Sequence, residues 1–270
     1  MSCSLWEKKN YLLDIEYLIA TKISEYDIRK ANISVLYSEG AISKEYYDFL
    51  YNADRMTRQI EIGYMIRNNP EIQKVLTDGI TKYRKLFFES NGIEDNNILS
   101  IKNDAVFVMK KTPSITKFGN VEFVNKNTYS SFIKINKKEV YFRSNALTGE
   151  MNIDIKGISD LKLQYHQDYM LTVIADVMYY IETGNIKSGI DYIRDFYNAY
   201  IQRKINVGYY RNFDDESNFI IKAGVGIYSM EYCNASMINA LDISCNLRVI
   251  QELYGILTNI YFNTKRSSPR

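Results

Sequence analysis

The spacing of apolar and polar residues changes twice along the chain. Six segments have apolar residues at helical spacing: 43–53, 54–67, 70–90, 164–183, 186–204 and 244–262. Between residues 98 and 155, short apolar runs alternate with turn residues such as "ND", "FGN" and "NKK", which predicts a series of strands. The order of helices, then strands, then helices predicts an α+β fold.

Some segments are less clearly patterned. Residues 10–23 fit a strand or a helix, and Ser24 is a candidate helix cap. Residues 205–213 have a β-like pattern. The composition shifts near residue 160, so we expect two subdomains: an α+β part over 1–160 and a mainly helical part over 161–270.

Composition limits the chemistry that the chain can perform. Its 270 residues carry a net charge of +2, three cysteines and a single histidine, His166. A metal site with several histidines is therefore excluded, and we expect His166 at the surface or at a helix cap. Any metal must be held by carboxylates, which suits Mg²⁺ or Mn²⁺.

The sequence also bears on location and source. It shows neither the apolar run of a membrane span nor the pattern of a signal peptide, so we expect a cytoplasmic protein without membrane contact. The 24 tyrosines, with many Asn, Ile and Lys, are typical of AT-rich genomes such as those of many phages. If the protein is viral, its compartment is the cytoplasm of the host cell.

Two aspartates lie at positions that suit metal-binding carboxylates. Asp27 lies in "EYDIRKANISVLY", where an extended segment meets a helix, and Asp104 lies in the turn of "SIKNDAVFV". Two carboxylates on neighbouring elements can hold two divalent ions roughly 3.5–4 Å apart, as in phosphoryl transfer. An acid at a strand end, a basic helix, a long helix and an acidic hairpin follow one another in the order of a polymerase palm.

These stretches resemble the palm of family B DNA polymerases, especially the viral, protein-primed kind. "YDIRKANISVL" resembles motif A with Asp27 as its aspartate, and "SIKNDAVFV" resembles motif C with Asp104 as its second aspartate. "RMTRQIEIGYM" occupies the place of motif B. There the resemblance implies that Arg55 and Arg58 bind the incoming triphosphate and that Tyr64 lies near the nascent base pair.

The resemblance extends to the strands that follow. "KNTYSSFIKI" is similar to the segment that grips the primer–template, which implies nucleic-acid contacts at Lys126, Tyr129 and Lys134. The helical remainder would occupy the place of a thumb. The implied function is template-directed nucleotidyl transfer with two divalent metals.

The sequence also departs from the family pattern. Motif C keeps one aspartate, with Lys102 and Asn103 in place of the other residues. Asn32 takes the place of the tyrosine that excludes ribonucleotides, so the resemblance leaves sugar preference open. Motif B is degenerate, and there is no room for an exonuclease domain.

Each candidate residue also has a structural interpretation. Asp104 is a favoured turn residue, and Asp27 can interact with a helix dipole. Arg55 and Arg58 fit a solvated charge pattern on one helix face. Lysines on strands such as Lys126 and Lys134 also protect sheet edges from aggregation.

Three functions therefore stay open. The first is a small polymerase-like enzyme that acts on a primer–template. The second is a non-catalytic, palm-derived subunit that binds nucleic acid or proteins of a viral replication or transcription complex. The third is a virion structural protein.

Overall fold

The computed structural model describes residues 4–144, 151–159, 163–164, 166–213, 220–223, 226–229, 238 and 240–267. Its internal contacts divide the chain into two units. The first consists of Met1–Asp14 with Thr21–Thr128, and the second of Ile15–Ala20 with Tyr129–Arg270. This division falls earlier than the change in composition near residue 160.

The first unit contains a six-stranded antiparallel sheet, in the spatial order β1-β4-β5-β3-β7-β6. Its strands are β1 (Asn10–Leu12), β3 (Ile23–Ile28), β4 (Ile98–Lys102), β5 (Ala105–Met109), β6 (Lys117–Phe118) and β7 (Val121–Tyr129). The hairpin of β4 and β5 lies next to β3, which pairs with β5. The predicted "ILSI" and "AVFV" strands are thus confirmed.

Four helices belong to this unit: α1 (Ala31–Ser38), α2 (Lys44–Asn52), α3 (Arg55–Asn68) and α4 (Glu71–Ser90). The Ser43 hydroxyl accepts the Tyr46 amide and caps α2, and the Asp54 carboxylate accepts two amides at the start of α3. Such caps satisfy amides that have no partner inside the helix, and they fix where each helix begins.

The core of the first unit lies between one face of the sheet and the helices. Val35, Leu36, Phe87, Ile101 and Val106 are all fully buried there. Helices α1 and α4 approach closely at Gly79, where an added Cβ would lie 2.3 Å from the Val35 side chain. A larger residue at this position would separate the two helices.

The second unit contains a four-stranded antiparallel sheet in the order β10-β9-β8-β2, and a separate two-stranded pair, β11-β12. The strands are β2 (Tyr17–Leu18), β8 (Ser131–Ile135), β9 (Lys138–Ser144), β10 (Met151–Lys156), β11 (Ile220–Ala223) and β12 (Gly226–Ser229). Its helices are α5 (Met170–Glu182), α6 (Ile186–Ile201) and α7 (Ala240–Ser267).

Helices and sheet of the second unit share one core, in which Ile133, Val140, Val177, Ile193 and Leu257 are fully buried. The α+β class is therefore confirmed: two antiparallel sheets are followed by a mainly helical C-terminal part. None of the helices in the described part of the chain is long and apolar enough to cross a membrane.

Three local expectations were wrong. Ser24 caps no helix, because it lies inside β3 opposite Val108. The β-like pattern of 205–213 forms a short 3-10 helix at Val207–Tyr210. His166 is fully buried and its ring lies 5.1 Å from that of Phe213. In each case packing against the rest of the unit determined the local structure. A short sequence pattern carries no information about such packing.

Candidate functional site

Asp27 lies near the carboxyl end of β3, on the face of the sheet away from the core of the first unit. Its neighbour Tyr26 packs into that core, with its ring 5.3 Å from the ring of Phe87. Because successive side chains in a strand point to opposite faces, Asp27 points the other way. Asp27 pairs with Ala105, and this register places it beside the turn between β4 and β5.

That turn consists of Asn103 and Asp104, and the pair of Lys102 and Ala105 closes the hairpin. Asn103 has a φ of 54°, a left-handed conformation that asparagine adopts more readily than most residues. The backbone N–H of Asn103 donates to the Lys9 carbonyl at 2.8 Å, so the turn is bound to the segment just before β1. Asp104 is half-buried at the tip.

The two carboxyl groups interact directly. Burial, and after it the neighbouring Asp27 carboxylate, raise the pKa of Asp104 above its ordinary value. The two side chains are close enough to form a hydrogen bond with each other. Two ionised carboxylates at this separation repel each other, and a cation bound between them removes that repulsion. The pair is therefore a favourable place for positive charge.

Two cations are held near this acid pair by the carboxyl end of α2. The Lys30 ammonium donates to the Tyr51 carbonyl and lies 3.7 Å from the centre of the Tyr51 ring. Arg58 donates from Nη1 to the Ala53 carbonyl at 2.5 Å. The carboxyl end of a helix carries a partial negative charge that favours such cations.

Acids and cations line two adjoining cavities in the first unit, of about 470 and 140 Å³. The residues common to both cavities are Lys30, Ala31, Arg55, Arg58 and Asp104. The larger cavity also contacts Asp27 and Lys126, and the smaller one contacts Asn32. We call the two together the acid–cation pocket. It brings together six of the residues singled out in the sequence.

Lys126 of β7 neutralises one of the two acids. Its ammonium forms an ion pair with Oδ2 of Asp27. The Lys126 side chain is 56% exposed and that of Asp27 is 18% exposed, so water screens this pair only partly. Lys126 therefore supplies an internal counter-ion that an external cation would have to displace.

Comparison with protein families matches residues 1–259 to the family described as "Bacteriophage PBS1 gene 130 protein". The chain belongs to this family. The match establishes a phage origin, as the composition led us to expect, and its description names no activity. No curated protein matches the chain.

Three predicted residues do not line the acid–cation pocket. Tyr64 lies further along α3 and is 57% exposed. Tyr129 is 3% exposed, and its hydroxyl donates to the Asp154 carboxylate at 2.5 Å. Lys134 is half-buried in β8. The Tyr129 ring is thus packed inside the protein and is not offered to solvent.

Two residues, one lining the pocket and one behind it, were not singled out from the sequence. Lys30 follows Asp27 by three positions, has a left-handed backbone with a φ of 50°, and lines both cavities. Arg84 of α4 is 2% exposed and donates to the Asn103 carbonyl at 2.6 Å, directly behind the acid turn. Burial lowers its pKa to about 10, and Asp104 opposes that shift, so it stays charged at neutral pH.

The sequence did contain a signal for Arg84. It lies four residues after Ile80 and three before Phe87, inside the apolar stripe that α4 buries. An arginine in such a stripe requires polar partners in the interior.

The donor set supplies two ligands of a divalent cation, and water or substrate phosphates would have to supply the others. In the part of the chain that the structure describes, no group of three or more His, Cys, Asp or Glu could hold a metal. Mg²⁺ is commonly bound by one or two carboxylates, with phosphate oxygens and water as its other ligands. Asp27 and Asp104 match that requirement, and the adjacent cations match the phosphate.

Proposed function

We propose that the acid–cation pocket binds a nucleoside triphosphate with a divalent cation and transfers the nucleotidyl group to a nucleic-acid end. One observation supports this above all: the paired carboxylates of Asp27 and Asp104 share one pocket with Lys30, Arg55 and Arg58. Acids alone would favour a metal ion, and cations alone would favour any anion. Their combination favours a metal-bound polyphosphate.

The cationic side of the pocket would hold the phosphates. Arg58 and Lys30 are each anchored on a carbonyl of the α2 end, so their charges are fixed before a ligand arrives. Arg55 is exposed at the first position of α3. It can move to meet the terminal phosphates.

The reaction is an in-line displacement. A hydroxyl oxygen at the nucleic-acid end attacks the α-phosphorus, a new P–O bond forms, and the bond to the bridging oxygen of the β-phosphate breaks. Pyrophosphate leaves, and the hydroxyl proton passes to water. A divalent ion held by Asp27 and Asp104 would lower the pKa of the attacking hydroxyl and neutralise charge on the phosphates.

The polymerase-like form of this chemistry rests on the resemblance of the motifs. β3 with Asp27 lies beside the hairpin with Asp104, which is consistent with the order expected for a palm. In this proposal Lys126 contacts the primer–template, and Mg²⁺ or Mn²⁺ is the cofactor. Other phage replication or transcription proteins are the expected partners.

A second candidate is a binding subunit without catalysis. The ion pair between Lys126 and Asp27 favours it, because a lysine then takes the place of the cation at one of the two acids. Such a protein would bind nucleotides or nucleic acid through Lys30, Arg55 and Arg58, and it would incorporate nothing.

Primer extension distinguishes the two candidates. The whole chain is incubated with a primer–template and Mg²⁺ or Mn²⁺, with deoxy- and ribonucleotides supplied separately. We expect extension by the wild type and no extension by Asp27→Asn or Asp104→Asn, since each change removes one charge at nearly constant shape. Asp78→Asn, on the exposed side of α4, is the matched control and should extend as the wild type does.

Extension that survives either pocket substitution would eliminate the catalytic proposal. If the wild type extends nothing, yet binds nucleotide in a manner that depends on Arg55 and Arg58, the binding subunit is the correct interpretation.

A further inference from the structure

We propose that Arg84 is a positioning residue for the acid pair. From the interior of the first unit, it fixes the Asn103–Asp104 turn and so holds the Asp104 carboxyl in the pocket. This inference rests on the proposed function, because it assigns Arg84 a part in the binding of the cation. Arg84 itself lines neither cavity of the acid–cation pocket.

The contacts of Arg84 are directional. Its Nη1 donates to the Asn103 carbonyl at 2.6 Å, and its Nε donates to the Trp6 carbonyl at 2.7 Å. The guanidinium is planar, so two bonds from different nitrogens fix both its position and its orientation. With 2% exposure, the group has almost no water to exchange for these partners.

The turn is consequently held through both backbone groups of one residue. The backbone N–H of Asn103 donates to the Lys9 carbonyl, and the backbone carbonyl of Asn103 accepts from Arg84. Asn103 also has the left-handed backbone that sets the direction of the chain into Asp104. A change at Arg84 frees the carbonyl side of the turn while the amide side stays bound.

The segment that completes this arrangement comes from the start of the chain. Trp6 belongs to a short 3-10 helix, Leu5–Glu7, and the ammonium of Lys85 lies 4.9 Å from its ring centre. Lys85 is the neighbour of Arg84 on α4. The N-terminal segment, α4 and the acid turn therefore meet at one buried guanidinium.

A purely structural role is the alternative. In that case Arg84 only ties the N-terminal segment to the hairpin, and its loss would lower stability without a specific effect on Asp104. A core substitution away from the turn can lower stability as much as a change at Arg84 and leave the turn in place. If Arg84 has a purely structural role, the two kinds of variant should therefore behave alike; if it positions Asp104, only the Arg84 variants should affect the turn.

The test compares Arg84→Lys, Arg84→Gln and Leu76→Ala in the whole chain. Leu76 is a buried residue of the same helix, two turns before Arg84, and serves as the stability-matched control. Lysine keeps the charge but loses the second donor nitrogen, whereas glutamine loses the charge as well. The measurements are the melting temperature, the Kd of Mn²⁺ by titration calorimetry, and amide hydrogen exchange over 98–109.

We expect both Arg84 variants to weaken Mn²⁺ binding by about 10–100-fold, as for other residues that orient metal ligands. Exchange should accelerate at the turn, and more in Arg84→Gln. Leu76→Ala should lower the melting temperature and leave the Mn²⁺ Kd unchanged. The inference is overturned if the Arg84 variants bind Mn²⁺ as the wild type does, or if Leu76→Ala weakens binding equally.

A wild type that binds Mn²⁺ neither alone nor together with a nucleoside triphosphate would contradict the proposed function, and the exchange data would then decide the role of Arg84 alone. Acceleration confined to the turn supports positioning, and unchanged exchange at the turn overturns it.

Discussion

Asp104 lies in surroundings that oppose its ionisation. Its side chain is half-buried and lies beside another acid, and both circumstances disfavour its ionised form. A residue of purely structural use at a turn would not need this environment. Functional groups are commonly found in such strained surroundings, since the charge that a ligand must neutralise is already in place.

We predict that Asp104→Asn stabilises the protein at neutral pH in the absence of divalent cations. Because the folded-state pKa of Asp104 is raised, the folded protein holds its proton over a range where the unfolded chain has lost it. Stability then falls as pH rises through that range, and above it the charged acid continues to cost stability.

The measurement is thermal unfolding in chelator as a function of pH. In a domain of 150–250 residues each kcal/mol relieved raises the melting temperature by roughly 2–4 °C. The gain should be present at pH 7 and should shrink as pH falls towards ordinary carboxyl pKa values. A variant that is equally or less stable than the wild type at pH 7 would contradict this account.

Lys126 yields a second prediction at this scale. Lys126→Met removes the internal counter-ion of Asp27, so an external cation no longer has to compete with it. An exposed ion pair contributes about 0.2–1 kcal/mol, so the Kd of Mn²⁺ should fall by up to about fivefold. Lys126→Arg keeps the charge and should bind Mn²⁺ as the wild type does. Weaker binding by Lys126→Met would show that Lys126 assists the metal.

At the scale of elements, the corner between α2 and α3 determines the cationic side of the pocket. Carbonyls at the end of α2 bind Lys30 and Arg58, and α3, which Asp54 caps, begins with Arg55. The end of one helix and the start of the next thus place three cations together.

We predict that Asp54→Ala weakens the binding of a nucleoside triphosphate, although Asp54 does not line the pocket. Its carboxylate accepts the Met56 and Thr57 amides, and without it the first turn of α3 frays together with Arg55. Ser43→Ala removes the same kind of cap from α2, at the end remote from the cations. Equal effects of both variants on nucleotide affinity would refute a local role for the α3 cap.

The fold was predictable wherever local pattern and burial agree. The stripe of α4 predicted a helix over 70–90, and the structure has Glu71–Ser90. The strand pair around "KND" was also correct, because a two-residue turn of Asn and Asp is a strong local signal. The expectations for Ser24 and for residues 205–213 were wrong because contacts with distant residues selected the local structure. Ser24 lies opposite Val108, and the Asn246 side chain donates to the Tyr209 carbonyl.

The same distinction applies to the site. The aspartates and the α3 arginines were visible as charges at the ends of elements, and the structure brings them into one pocket. Lys30 was missed because its ammonium is held by the Tyr51 carbonyl and ring, 21 residues away, and the local sequence does not reveal that contact. The place of Arg84 in the apolar stripe of α4 indicated burial, but its role was missed because its partners are main-chain carbonyls, which the sequence does not reveal.

At the scale of the whole molecule, the two units have separate cores. Leu36 of α1 and Ile174 of α5 are both fully buried, each in its own core. Truncation of such a residue to alanine costs about 2–5 kcal/mol because it leaves a cavity.

We therefore predict that Leu36→Ala and Ile174→Ala lower the free energy of unfolding by similar amounts but loosen different parts of the chain. Hydrogen exchange should accelerate mainly over 21–128 in Leu36→Ala and mainly over 129–213 in Ile174→Ala. Uniform acceleration over the whole chain in both variants would indicate that the two cores unfold as a single cooperative unit.

The short strand β2 has a consequence for the order in which the protein can fold on the ribosome. Tyr17 pairs with Ile133, so these partners are 133 − 17 = 116 residues apart. The chain is synthesised from its N-terminus at about 5–20 residues per second, so the partner of β2 is made roughly 6–23 seconds after β2 itself. During that interval the segment around Ile15–Ala20 is already in the nascent chain, while the strand that completes its sheet has not yet been made.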